Sequence, residues 1–172
     1  MGLVLAPAAN AAERDKPAFM FLDSHLDTPL LVDFSALNMT KRHSWQHDYS
    51  QVDLPRMKEG GLDGGFWVIY TPQGPLTSAG YARSLQEARQ RNVTIDNMVS
   101  LAPDEFAIAL QAQDAHAIIE AGKRVVYKSI ENAYPLGQDL NLLDEFYAAG
   151  VRMIGLVHTR NNQFADSSTD PN

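Results

Sequence analysis

The side chains best equipped for chemistry lie near the start of the chain, in Asp23-Ser24-His25-Leu26-Asp27-Thr28-Pro29. One imidazole and one carboxylate two residues apart can grip a single divalent cation, and zinc accepts N and O donors alike. In an extended chain alternate side chains share a face, so His25 and Asp27 point the same way. His-x-Asp also arises by chance on many loops, so the pair needs a structural setting. The apolar run Phe19 to Leu22 supplies one: it reads as a short buried strand with the polar residues at its carboxyl end. In α/β folds, sites gather at such strand ends. Pro29 has no N–H for a ladder and stops the strand.

The same arrangement recurs downstream. Gly64-Gly65-Phe66-Trp67-Val68-Ile69-Tyr70 is aromatic and β-branched without polar alternation, which suits a strand covered on both faces, and it ends in Tyr70 and Thr71. Arg124 to Ile130 reads as a third strand and ends in Glu131-Asn132-Ala133. Val151 to Val157 reads as a fourth and ends in His158. Taken singly, Glu131 could be a solvated carboxylate and His158 a packing imidazole bonded to a carbonyl. Taken together, ligand-type residues at one end of successive parallel strands have the layout of a site. His43 and His47, spaced i, i+4 in the polar stretch 38–52 with Trp45 and Tyr49, lack flanking apolar periodicity. They read as exposed or substrate-side loop residues, not ligands, and His116 reads as a plain helix residue.

The elements between these strands must position them. Asp53 to Gly61 predicts a short helix with Asp53 as its N-cap, Pro55 in its first turn and glycine at its end. Residues 77–100 predict a long amphipathic helix. Pro103 onward predicts further helix to Gly122, with a break near Asp114. Asp139 to Ala149 predicts a helix burying Leu140, Leu142, Leu143, Phe146 and Tyr147, capped by Gly150. Strands alternating with helices mean βαβ units and a parallel sheet. The glycine pairs at 60–61 and 64–65 precede a strand and lack the spacing of a phosphate loop.

Composition sets the bounds. The 172 residues suit one domain, and the net charge of −7 argues against a nucleic-acid partner. With no cysteine, disulfides, thiolate nucleophiles and Cys-type zinc sites are excluded. No run is long enough to be a transmembrane segment. Residues 1–16, small and apolar before an abrupt Glu13-Arg14-Asp15-Lys16, read as a signal-peptide remnant or a flexible leader. This points to a periplasmic or secreted protein, with the cytoplasm as the alternative, and leaves residues 17–172 as the folded domain.

The chain resembles the membrane dipeptidase (renal dipeptidase) family of zinc peptidases. The likeness is carried by residues 23–29, 64–70, Ile130-Glu131-Asn132, and His158-Thr159-Arg160-Asn161-Asn162-Gln163-Phe164-Ala165-Asp166-Ser167, in order and at matching spacings. The resemblance implies an α/β fold that is the first half, about four βα units, of a (β/α)8 TIM-like metallohydrolase barrel. It implies hydrolysis of a dipeptide substrate at a site of two zinc ions, with the metals as Lewis acids and nucleophile generators. His25 and Asp27 would bind one zinc and Glu131 would bridge both. His158 would contact the substrate. The family's remaining zinc ligands, substrate-binding arginine and acid/base aspartate would lie beyond Asn172, so this chain alone is expected to be inactive and to hold at most one zinc. Many members have Glu-Gly-Gly where this chain has Glu131-Asn132-Ala133, and the bulkier pair is expected to narrow the site.

A half barrel exposes sheet edges, so a homo-oligomer or aggregation is expected. One alternative is a non-catalytic truncated fragment or half of a hetero-complex. Another is a different metal-dependent amidohydrolase, although those usually carry His-x-His on the first strand.

Overall fold

The computed structural model describes residues 19–170. The leader expected over residues 1–16 lies outside the described residues. The chain enters through β1 (Leu22–Leu26), turns into α1 (Thr28–Ser35), and crosses the polar stretch through a one-turn helix, α2 (Trp45–Asp48). It continues through α3 (Leu54–Gly60), β2 (Gly64–Tyr70) and the long α4 (Ser78–Leu101). β3 (Phe106–Ile108), α5 (Asp114–Glu120), β4 (Arg124–Glu131), a 3₁₀ turn at Tyr134–Leu136, α6 (Leu142–Ala148) and β5 (Val151–Ile154) complete it. All strand pairs are parallel.

β2 and β4 make the centre, in unbroken register from Gly64 opposite Val125 to Tyr70 opposite Glu131. β1 lies on the other side of β2. β3 and β5 share the far side of β4: β3 pairs with its start, β5 with its end. The glycines that open β2 permit this closeness. A Cβ on Gly64 would stand 2.2 Å from the Val125 carbonyl oxygen, and one on Gly65 would stand 2.4 Å from that of Asp23.

Two helices, α3 and α4, begin at side-chain caps. Asp53, fully buried, accepts a bond from the Arg56 N–H at 2.9 Å as N-cap of α3, and Gly61 ends that helix with φ 74°. Thr77 caps α4 through the Gly80 N–H. α4 packs Ala88 and Ile95 against Trp67, Ile69, Val126 and Ile130 of the sheet. Side chains of β4 alternate. Val126 and Ile130 join that main core, whereas Val125 and Tyr127 join a smaller cluster with Ala109 and Ala115, where Tyr127 stacks on Phe66. Lys128 is buried at 1% exposure and bonds Asp96 and Asn92 of α4 and the Ala149 carbonyl that follows α6, at 2.6, 2.9 and 2.9 Å.

Four sequence expectations are corrected. The first strand is not the apolar run Phe19 to Leu22 but Leu22–Leu26; Phe19 and Phe21 are exposed and stack edge-on with each other. Residues 106–108 form a strand, not helix, because their backbone pairs with Arg124 to Val126. In α6 only Phe146 is fully buried and Tyr147 is exposed, and Leu140, expected on its buried side, lies exposed before the helix starts. The last strand ends at Ile154, three residues short of Val157.

Candidate metal centre

His25 is the penultimate residue of β1, and its backbone N–H donates to the Asp23 carboxylate at 2.9 Å. Asp27 is already outside the strand, at the N-cap position of α1 with φ −82° and ψ 2°. The two side chains meet through this turn and not through simple strand alternation. Glu131 ends β4, two strands away, and its register partner Tyr70 ends β2. His158 lies in the loop after β5, whose backbone follows β4 through the Gly155 N–H to Ile130 bond.

These elements bring all four sequence-derived residues together. His25 Nε2 stands 3.3 Å from an Asp27 oxygen and 3.5 Å from Glu131 Oε2. The other Glu131 oxygen stands 3.3 Å from His158 Nε2. His25, Asp27 and Glu131 each offer a ligand atom, and these atoms all lie within 4.8 Å of one another. Ligands about 2.0–2.2 Å from a tetrahedral zinc stand about 3.3–3.6 Å apart, and the two separations from His25 Nε2 match that spacing. The donor set of one imidazole and two carboxylates also fits a hard-to-borderline divalent cation.

Tyr70 was legible only as a strand end. Its ring meets that of His158 edge-on, with centroids 5.3 Å apart. Burial first, then the nearby Glu131 and Asp27 carboxylates, push its phenol above the ordinary tyrosine range. The phenol therefore stays protonated at neutral pH and remains a donor. The signal that marks Tyr70 is its register opposite Glu131, which a single sequence does not carry.

A polar network stiffens the same end of the sheet. Asn132 adopts φ 72°, a left-handed conformation that asparagine tolerates better than most residues. Its amide donates to Gln73 after β2 at 3.3 Å and accepts from Asn162 after β5 at 2.8 Å. Asn162 also donates to the Leu156 carbonyl. Asn132 and Ala133 are both 1% exposed, so they join the wall behind the site instead of standing free in it. His43 and His47 stay apart from the centre, bonding Asp48 and Ser44 respectively, and His116 is exposed on α5.

A parallel βα sheet with imidazole and carboxylate side chains collected at its carboxyl edge defines a barrel-type α/β protein with a candidate metal centre. A sequence model of the membrane dipeptidases (peptidase family M19) matches residues 11–172, and the chain belongs to that family. It is 30% identical over 155 residues to Dipeptidase ataJ of Aspergillus terreus, covering 87% of this chain and 38% of that one. Among solved structures, it superposes on the probable dipeptidase PvdM from Pseudomonas aeruginosa with a TM-score of 0.76 at 29% identity, covering 89% of this chain and 38% of that one. The dipeptidase AC, a metallopeptidase of family M19, gives 0.70 at 26% identity, covering 83% and 44%. The chain thus spans less than half the length of these relatives.

Proposed function

We propose that the protein is a zinc-dependent dipeptidase and that His25, Asp27 and Glu131 hold the first ion of a binuclear site. The observation that carries this reading is the convergence of three ligand atoms within 4.8 Å from two separate strand ends. Bound there, zinc would supply Lewis acidity and an activated nucleophile for attack on the peptide carbonyl.

The chain's own residues do the rest. His25 and Asp27 would hold the ion from the end of β1 and the start of α1. Glu131 directs one oxygen toward His25 and the other toward His158, and having two oxygens it would be able to serve a second ion as well. His158 hydrogen-bonds the dipeptide, and the Tyr70 ring against it restricts how the imidazole turns. The Tyr70 phenol, near enough to the Glu131 and Asp27 carboxylates to feel their charge, would add a hydrogen-bond donor beside them.

The test uses the full-length protein. His25→Ala is expected to lower bound zinc, measured by mass spectrometry of the metal, and to cut dipeptide kcat/KM by more than about a hundredfold. Unchanged zinc content in that variant would overturn the ligand assignment. Absence of dipeptide turnover by the zinc-loaded parent would overturn the activity.

A further inference from the structure

A cavity of about 300 Å³ opens directly beside the candidate metal ligands, bounded by His25, Asp27, Leu31, Val52, Trp45 and Tyr49. Its lining is mixed: Asp23 and Gln51 add polar groups to those of the candidate ligands, while Leu31 and Val52 pack against the main core. Trp45 and Tyr49 also line it as an aromatic pair, with ring centroids 5.3 Å apart and planes at 86°.

Both rings are exposed, at 52% and 67%. Two large aromatics held side by side over a cavity leave apolar surface in water that a ligand could cover. They are also held in place. Tyr49 adopts φ 58°, a conformation unusual for a bulky residue and one that concentrates at functional sites. On one side of it Asp48 is gripped by His43 at 2.5 Å; on the other Ser50 is fully buried and donates its N–H to Asp48 at 3.0 Å.

We propose that Trp45 and Tyr49 form a specificity subsite for a large apolar or aromatic side chain of the dipeptide, next to the metal centre. The inference rests on the dipeptidase reading for the identity of the ligand. A phenylalanine-sized side chain has the volume and the π-face to fill the space between Leu31, Val52 and the two rings.

The test compares full-length, zinc-loaded wild type with Trp45→Ala, Tyr49→Ala and Trp45→Phe. The substrates are phenylalanyl-glycine and glycyl-phenylalanine, each set against its alanine counterpart. Wild type is expected to prefer one phenylalanine dipeptide over its alanine partner, and each alanine variant to lower that kcat/KM ratio about tenfold, with Trp45→Phe keeping most of it. Binding gives a second readout. Trp45 is exposed whereas Trp67 is fully buried, and the part of a ligand-induced emission change that Trp45→Phe removes reports Trp45. A phenylalanine dipeptide is expected to shift that emission, and Trp45→Phe to abolish the shift. Dipeptide turnover with an unchanged ratio in Trp45→Ala overturns the subsite and leaves the dipeptidase reading standing. No turnover by wild type, with the emission shift present, sinks that reading and keeps the subsite. No turnover and no shift sinks both.

Discussion

Glu131 and Asn132 divide the work at the end of β4. Glu131 spreads its two oxygens between His25 and His158, while Asn132 turns the backbone left-handed and ties it to Gln73 and Asn162. The left-handed turn explains why many family members can have glycine at this position: both glycine and asparagine tolerate positive φ. Two variants separate backbone from side chain. Asn132→Gly is expected to cost the side-chain hydrogen bonds with Gln73, Asn162 and the Tyr134 N–H, about 1 kcal/mol each. Asn132→Ala adds the strain of a left-handed alanine, about 1 kcal/mol more. Thermal unfolding of the full-length protein checks the order wild type, glycine variant, alanine variant. The four candidate site residues were legible because their types are chemically rare in combination and each follows an apolar run. Tyr70 and Asn132 were legible only as neighbours, because their roles depend on register and on a dihedral angle.

The elements reveal where pattern and tertiary pairing part. Phe19 and Phe21 look like strand core, yet β1 is built from Leu22-Asp23-Ser24-His25-Leu26, whose polarity suits a surface and not a buried strand. Its strand character comes from parallel pairing with β2. β3 is three residues long and would be helix by composition, but the start of β4 claims its backbone. By contrast β2, α4 and the Asp53 cap follow the sequence closely, since continuous burial, amphipathic spacing and capping chemistry are local properties. The loop that carries α2 has its own pH dependence. Burial lowers the tendency of His43 to protonate, but its contacts with the Asn38 carbonyl and the Asp48 carboxylate outweigh that and raise its pKa above 6.5. Burial also opposes ionisation of Asp48, and the bond from His43 wins and lowers its pKa below 3.8. Asp53, which accepts from the His43 N–H, adds to the raising field and is itself held by Arg56. The His43 contribution is therefore complete below pH 6.5 and lost as pH rises through the raised value. The Asp48 contribution is present above pH 3.8 and lost as pH falls through the lowered value. Trp45 emission is expected to change on the alkaline side, and His43→Gln to remove that change in a fluorescence pH titration.

For the whole molecule, the alternation of strands and helices was enough to predict a parallel α/β sheet, and its strand ends were enough to nominate the residues of the candidate centre. The sharing of one side of β4 by β3 and β5 was not, because it depends on which stretch of β4 each strand meets. Among the described residues, β1 and β5 each pair along one side only, and exposed apolar residues stand near them: Phe19 and Phe21 beside β1, Met153 and Leu156 in and after β5. The 172-residue polypeptide made by itself is expected to associate. Light scattering should give a mass well above 19.0 kDa, and a steady 19.0 kDa species would count against edge-driven association.

Lys128 carries a consequence of a different kind. Its ammonium is closed off between α4 and the end of α6, whereas Lys41 stands in solvent. An amine-reactive reagent should therefore modify Lys41 within the native state and reach Lys128 only after a helix parts from the sheet. Read by peptide mass mapping over time, acylation at Lys128 becomes a built-in clock for opening of the helix layer, with Lys41 as its reference.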